Sequence, residues 1–199
     1  MSKTELIKRY AVMIIGTMIM TFGIDMTIHA NIGTTPLSVL PNVFDIKFDF
    51  LTFGQTTMIW NVVLILAQVL ILRKNFKKQE LLQIPIAFLF ALFLDLNEYL
   101  LFWLAPNSFI GSIIITLIGC VIIAFAISLT VLSDVVISCG EAIVKAVSDS
   151  TKLKFGYVKI GLDVLYVVLA LAFSFIFFGT LKGVGIGTVI LAILTVFFV

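Results

Sequence analysis

"GIDMTIHANIGTTPLSVLPN", residues 23–42, decides the fold. Its first half is an apolar helical run that carries Asp25 and the chain's only histidine, His29; its second half breaks into Gly33, Thr34, Thr35, Pro36 and Pro41. Gly and Pro favour irregular chain. Irregular backbone at membrane depth is tolerated only where protein or a water-filled cavity satisfies its polar groups. The stretch therefore reads as the outer end of a membrane helix followed by a loop, 31–50, that folds over an outward-facing pocket. The plainer alternative is a solvated loop.

The rest of the chain has the composition this reading demands. Of 199 residues 61% are hydrophobic and 12% charged, against about a quarter charged in soluble domains, and the mean hydropathy is +1.22. A membrane helix needs about 20 apolar residues. Six candidate spans follow, roughly 10–30, 51–72, 81–104, 109–133, 156–178 and 183–199, in one transmembrane domain over 1–199. The fold class expected is all-α, a polytopic membrane protein with six transmembrane helices. Lys8 and Arg9 ahead of the first apolar run resemble the start of a signal peptide, but Ile28-His29-Ala30 is a poor cleavage site, so the run is kept as a helix. The last span is short.

Basic residues near helix ends mark the cytoplasmic side. All of the 13 Lys and Arg residues except Lys47 and Lys182 fall in alternate segments: Lys3, Lys8, Arg9; Arg73, Lys74, Lys77, Lys78; Lys145, Lys152, Lys154, Lys159. Both termini are expected in the cytoplasm, loop 31–50 outside and 134–155 inside. The net charge of +2 is too mild to suggest a nucleic-acid partner.

Sliding the chain on itself by 103 residues aligns "GIDMTIHAN" (23–31) with "AISLTVLSD" (126–134), with Thr27 on Thr130 and Asn31 on Asp134. A slide of 102 puts "FGQ" (53–55) on "FGY" (155–157) and Asn61 on Asp163. Each unit, 10–104 and 109–199, is helix, long loop, FG-led helix, helix. Three crossings per unit is an odd number, so the second copy is expected to lie inverted, with a binding site near the interface between the repeats.

Ionisable groups in membrane helices cost about 2.5–3.5 kcal/mol each on insertion scales and tend to be functional. Asp25 and His29 share a helical face; they line a cavity or satisfy one another. Asn31, Thr34, Thr35 and, deeper in the second span, Asn61 are further pocket candidates. Asp95 and Glu98, in "DLNEY" (95–99), stand either at a solvated helix end or in the pocket wall, while Tyr99 and Trp103 read as interfacial anchors. Lys159 and Asp163, four apart, form an internal salt bridge or serve coupling. Small residues at every fourth position, Ser112, Thr116, Cys120, Ala124 and Ser128, allow close helix packing.

Nothing points to an enzyme, a cofactor or a metal site. Cys120 and Cys139 have neither disulfide nor zinc spacing, and "GVGIGT" (183–188) lacks the dinucleotide fingerprint. Its glycines read as packing positions.

"GIDMTIHANIGTTP", "LTFGQ", "KIGLD" and "GVGIGT" together resemble the YczE/YitT-like family of small bacterial membrane proteins over essentially the whole chain. Some members of that family resemble the substrate-binding S components of energy-coupling-factor (ECF) vitamin transporters. The resemblance implies a bacterial cell-membrane location and a small water-soluble vitamin, vitamin B6 favoured, bound beneath the loop joining helices 1 and 2. It further implies an ECF membrane coupling subunit and two ATPase subunits as partners. Under it, Asp25 and His29 would serve a pyridine ring, and Asn31, Thr34, Thr35 and Asn61 its substituents. The AxxxA pair that S components often use for docking is missing from helix 1, where Ala11 is followed by Ile15 and Gly16 by Met20. That departure leaves two other classes open: a stand-alone proton-coupled secondary transporter, with Asp25 or Asp163 coupling, and a non-transporting accessory or receptor protein.

Overall fold

The computed structural model describes residues 3–197, the side chains of Lys78 and of residues 194–197 excepted. Among the described residues eight α-helices form, α1 (Lys3–His29), α2 (Pro36–Lys47), α3 (Phe53–Leu72), α4 (Gln83–Leu100), α5 (Phe109–Ser133), α6 (Cys139–Thr151), α7 (Phe155–Phe178) and α8 (Ile186–Phe197). No strand occurs among the described residues. Five helices, α1, α3, α4, α5 and α7, are long and apolar enough to cross a membrane. Their outward faces are apolar, with Leu70 73%, Val121 69% and Ile176 74% exposed. The arrangement is that of a polytopic helical membrane protein.

Two expectations need correction. The sixth span, 183–199, does not start at Gly183: Ser174 Oγ accepts from Lys182 N (2.7 Å) and contacts the Thr180 and Lys182 carbonyls (3.0 Å each). That tie holds 180–182 in a turn, and Gly183 has φ +76°. α8 therefore begins at Ile186 with 12 described residues, fewer than a crossing needs, and Phe198 and Val199 lie outside the described residues. The long loops are also not wholly irregular, because each holds a short helix, α2 or α6.

Residues that the slides of 103 and 102 pair with one another occupy corresponding places in the fold. α1 and α5 pack antiparallel at the centre. A Cβ on Gly16 would meet Thr130 Cγ2 at 2.9 Å, and one on Gly119 would meet Thr27 Cγ2 at 2.8 Å; the slide of 103 turns each contact into the other. Thr27 donates to Ile24 O (2.7 Å) and Thr130 to Ile127 O (2.9 Å). Asn31 and Asp134 both leave their helices in the left-handed region, φ 56° and 48°, a conformation Asn and Asp tolerate better than most residues. Thr35 and Ser138 then precede Pro36 and Cys139, which open α2 and α6. α2 buries Val39, Leu40 and Val43, and α6 buries the equivalent Ala142, Ile143 and Ala146. The FG pairs open α3 and α7, which bury matching lines: Thr56, Asn61, Leu64 and Gln68 against Val158, Asp163, Tyr166 and Ala170. The short helices pack on both, so that α2 reaches across to α7 and α6 to α3.

α5 packs on α1 of the same chain through Gly119, Ile123 and Thr130. Of the small-residue line, Ser112, Thr116 and Cys120 are buried and Ser128 is exposed. Tyr99 and Trp103 are 76% and 67% exposed, as interfacial anchors would be.

Candidate functional site

A cavity of about 130 Å³ lies where the first turns of α2 and α6 meet. Its wall is drawn from equivalent positions of the two halves: Met20 and Ile24 of α1 with Ile123 and Ile127 of α5; Thr35, Pro36, Leu37 and Ser38 with Ser138, Cys139, Gly140 and Glu141; Thr57 and Asn61 of α3 with Lys159 and Asp163 of α7. α4 adds Gln83, Ile86, Ala87 and Phe90, and Trp60 and Tyr166 add aromatic surface. The two rings meet edge to face at 5.6 Å. Leu37 and Gly140, equivalent positions, touch so closely that a Cβ on Gly140 would lie 2.5 Å from Leu37 Cδ2.

The polar inventory of this wall is unbalanced. Lys159 Nζ donates to both carboxylate oxygens of Asp163 at 2.6 and 2.5 Å, so their charges cancel locally. This is the internal salt bridge expected from their spacing. Ser138 Oγ accepts from Glu141 N at 3.3 Å and caps α6, whereas Thr35 makes no side-chain cap for α2. Burial pushes the Glu141 carboxyl above the usual range, opposed by Lys159 and by the Ser138 hydroxyl. Burial pushes the Cys139 thiol up to about 12, so it is a poor nucleophile. Thr57 Oγ1, Trp60 Nε1 and Tyr166 OH are buried without a hydrogen-bond partner.

The residues singled out from sequence divide between this cavity and the scaffold. Thr35 and Asn61 line it; Asp25, His29, Asn31, Thr34, Asp95 and Glu98 do not. His29 Nδ1 lies 3.0 Å from the backbone oxygen of Asp25, a contact to main chain rather than to the carboxylate, while Asp25 Oδ2 is buried and unpartnered. Asn31 is exposed and ends α1. Thr34 shares a 2.8 Å hydroxyl contact with Thr27. Asp95 accepts from Thr52 Oγ1 (3.0 Å) and Gly54 N (2.8 Å), which makes it a cap of α3. A Cβ on Gly54 would lie 2.4 Å from that carboxylate, hence the glycine. Glu98 stands near His29 and Asp95, and with Asp95 it raises Asp45 of α2, itself half-buried, to about 7, burial being the larger cause.

Sequence reasoning passed over Ser38, Thr57, Trp60, Ser138, Glu141 and Tyr166. A signal existed for some: Ser138-x-x-Glu141 is a capping-box pattern, and the slides already set Ser138 on Thr35 and Lys159 on Thr57. Among the described residues no three His, Cys, Asp or Glu side chains converge as metal ligands would.

The two ends of the molecule differ. Toward Asp134 a second cavity of about 360 Å³ adjoins the first, sharing Met20, Ile86, Phe90, Ile137, Ser138 and Glu141 with it and separating α4 from Val135 and Val136. At the His29 end the equivalent gap is filled. Gly187 N donates to Ile32 O at 2.7 Å, and Cβ atoms on Gly185 or Gly187 would sit 2.3 or 2.9 Å from that oxygen. The glycines of "GVGIGT" are packing positions, as expected, against a loop rather than a helix.

Residues 7–199 match the model of a family of unknown function, DUF6198, and the chain belongs to that family. No curated protein and no solved structure matches it.

Proposed function

We propose that this chain is a stand-alone transporter for a small solute in a bacterial cell membrane, built on two inverted halves whose shared cavity is the substrate site. The observation that carries the reading is the cavity wall itself, to which both halves contribute the same positions. Binding at a repeat interface near short or broken helices is a recurrent transporter design. On the count of basic residues the Asp134 end faces the cytoplasm, both termini with it, and α8 serves as a short sixth crossing. The second cavity is then the cytoplasmic path to the site, and the glycine contact of 185–187 with Ile32 is the outer seal. The α4 side, open here, and the α8 side, closed here, are the same device in two conditions, and exchanging them exposes the site to the outside.

The test is reconstitution of the purified chain alone in liposomes, with substrates taken from mass spectrometry of small molecules that copurify with it. Uptake supports the reading. Binding without uptake, relieved only by adding a membrane coupling subunit and two ATPases, would replace it with the vitamin-binding S-component role that the resemblance implies. Binding with no uptake in either setting would assign a receptor or accessory protein.

A further inference from the structure

We infer that the two adjoining cavities together take one organic cation with an apolar body, its charged head at Glu141 where they meet and its body in the larger space toward Asp134. The inference rests on the reading of the central cavity as the substrate site. Six residues line both cavities, Met20, Ile86, Phe90, Ile137, Ser138 and Glu141. One of them is charged, and it is an acid. Phe90 adds an aromatic ring at the same waist, and the face of such a ring attracts cations. The larger cavity is mainly apolar. Its two threonines, Thr17 and Thr130, donate to Met13 O (2.8 Å) and Ile127 O (2.9 Å) within their own helices, while Met13, Val131, Val135 and Val136 present apolar surface. At about 10–15 Å³ for each water-sized site, 130 Å³ holds a head group on one ring, and 360 Å³ leaves room for a longer body.

The charge on the walls has the sign a cation needs. Among the described residues the only basic side chain on either wall is Lys159, against Asp134, Glu141 and Asp163. Both carboxylate oxygens of Asp163 already hold Lys159 Nζ, so it balances one acid and leaves Glu141 in surplus. Arg9, which lines neither cavity, stands 3.5 Å from Asp134 and answers that charge from outside. A charge taken out of water needs a partner, and a cation finds one in Glu141, whereas an anion meets repulsion there. Burial holds the Glu141 carboxyl above the usual range, so a proton and the cation compete for it. Its neighbours do not share that competition. α3, on which α6 packs, has no titratable side chain, and α1 and α4 bring none to either wall. Lys159 and Asp163 of α7 hold one another, Tyr166 and Cys139 carry no charge below about pH 8, and Lys145, one turn along α6, is exposed.

Para-butylbenzylammonium, para-butylbenzyl alcohol and para-butylbenzoate share one apolar body and differ in the charge of the head; benzylammonium keeps the head and lacks the butyl group. The protein has two tryptophans, and Trp103 is exposed, so in the full-length Trp103→Phe protein the fluorescence of Trp60, on the cavity wall, reports binding. With partition into empty micelles subtracted, the butyl ammonium is expected to bind saturably and at least tenfold tighter than the alcohol, with no saturable response to the acid. It should also bind at least tenfold tighter than benzylammonium, since each buried methylene contributes about fourfold. Its affinity should fall as pH is lowered through the raised range of Glu141, while that of the alcohol stays flat. Glu141→Gln keeps the shape, removes the charge, and should bring the ammonium down to the affinity of the alcohol without pH dependence. If that variant does not fold, the pH profile with Glu141 in place decides. Equal or tighter binding of the alcohol or the acid overturns the cation assignment while leaving the cavities a solute site, and so does an ammonium affinity that is flat in pH or unchanged in folded Glu141→Gln. Equal affinities of the two ammonium probes overturn the placement of the body. No saturable response to any probe overturns the inference as a whole. Liposome uptake judges the transport reading separately.

Discussion

On the proposed transport reading, Gly185→Ala should open the α8 side of the molecule. The added Cβ would lie 2.3 Å from Ile32 O and 2.8 Å from Ile32 C. Both are backbone atoms, so no rotamer change relieves the clash, and the two segments must part by about 1 Å to restore ordinary contact. Overpacking of this kind costs about 1–3 kcal/mol, and strain on the Gly187–Ile32 hydrogen bond adds about 0.5–1.5 kcal/mol. If the contact is a seal that opens in another state, the cost falls on the closed state alone. A difference of 1–3 kcal/mol then shifts the population about 5–150-fold toward the outward-open form. The assay uses Thr35→Cys, on the cavity wall, in a background with Cys120 and Cys139 changed to alanine. An impermeant thiol reagent is added from outside, and its rate of labelling is compared with and without Gly185→Ala. Faster labelling by several-fold or more is expected. A lower melting temperature with unchanged labelling would refute the reasoning, because it would make the contact a fixed part of the scaffold.

Four other outcomes are expected. Glu141, whose carboxyl burial holds above the usual range against the opposing pull of Lys159 and Ser138, takes up a proton more readily in the folded chain, so its contribution to stability is full at low pH and lost as pH rises through the raised value; Glu141→Gln should flatten that part of the pH profile of the melting temperature. Asp95→Ala removes the cap on α3 and should cost about 1–3 kcal/mol of stability, read by thermal melting in detergent, with ligand affinity unchanged. Asp45, raised from 3.8 to about 7, takes up a proton on folding, so its contribution is full below about pH 4 and lost as pH rises through about 7; Asp45→Asn should reduce the fall in melting temperature across that window. Gly16→Ala and Gly119→Ala, overpacking equivalent contacts at 2.9 and 2.8 Å, should each cost about 1–3 kcal/mol and lower the melting temperature by similar amounts.

What was legible in the sequence followed from long-range averages and from spacing. Hydropathy over some 20 residues marks α1, α3, α4, α5 and α7, because lipid-facing residues must be apolar whatever they pack against. The four-residue separation of Lys159 and Asp163 is a local helical fact, and the salt bridge followed. α2 and α6 were not legible as helices, since 12 or 13 residues with prolines or mixed polarity carry no distinctive apolar run. The site was half legible for a related reason. Thr35 and Asn61 lie where the chain breaks or where a span carries an amide, both visible signals. Thr57, Trp60 and Tyr166 look like ordinary residues of an apolar helix until the fold leaves their polar atoms without partners. Asp95 misled because its neighbours in sequence, "DLNEY", suggest a helix end. Its actual partners, Thr52 and Gly54, are about 40 residues away, and only the packing of α3 on α4 supplies them.

The match between the two halves is faint in identities because packing constrains properties at a few positions and leaves the rest free. Close approach of α1 and α5 needs glycine at 16 and 119 and a short β-branched partner at 130 and 27, and the helix exits need left-handed tolerance at 31 and 134. Those positions agree. The cavity wall is where the halves diverge: Ser38, Thr57 and Asn61 on one side are answered by Glu141, Lys159 and Asp163 on the other. The frame is symmetric and the chemistry is not: one half lines the cavity with neutral polar groups and the other supplies every charged side chain on its wall. A two-fold site with identical walls would hold a solute equally well in two orientations. On the proposed reading this one distinguishes them, and the distinction is made by the half that contributes Glu141, Lys159 and Asp163 to the wall.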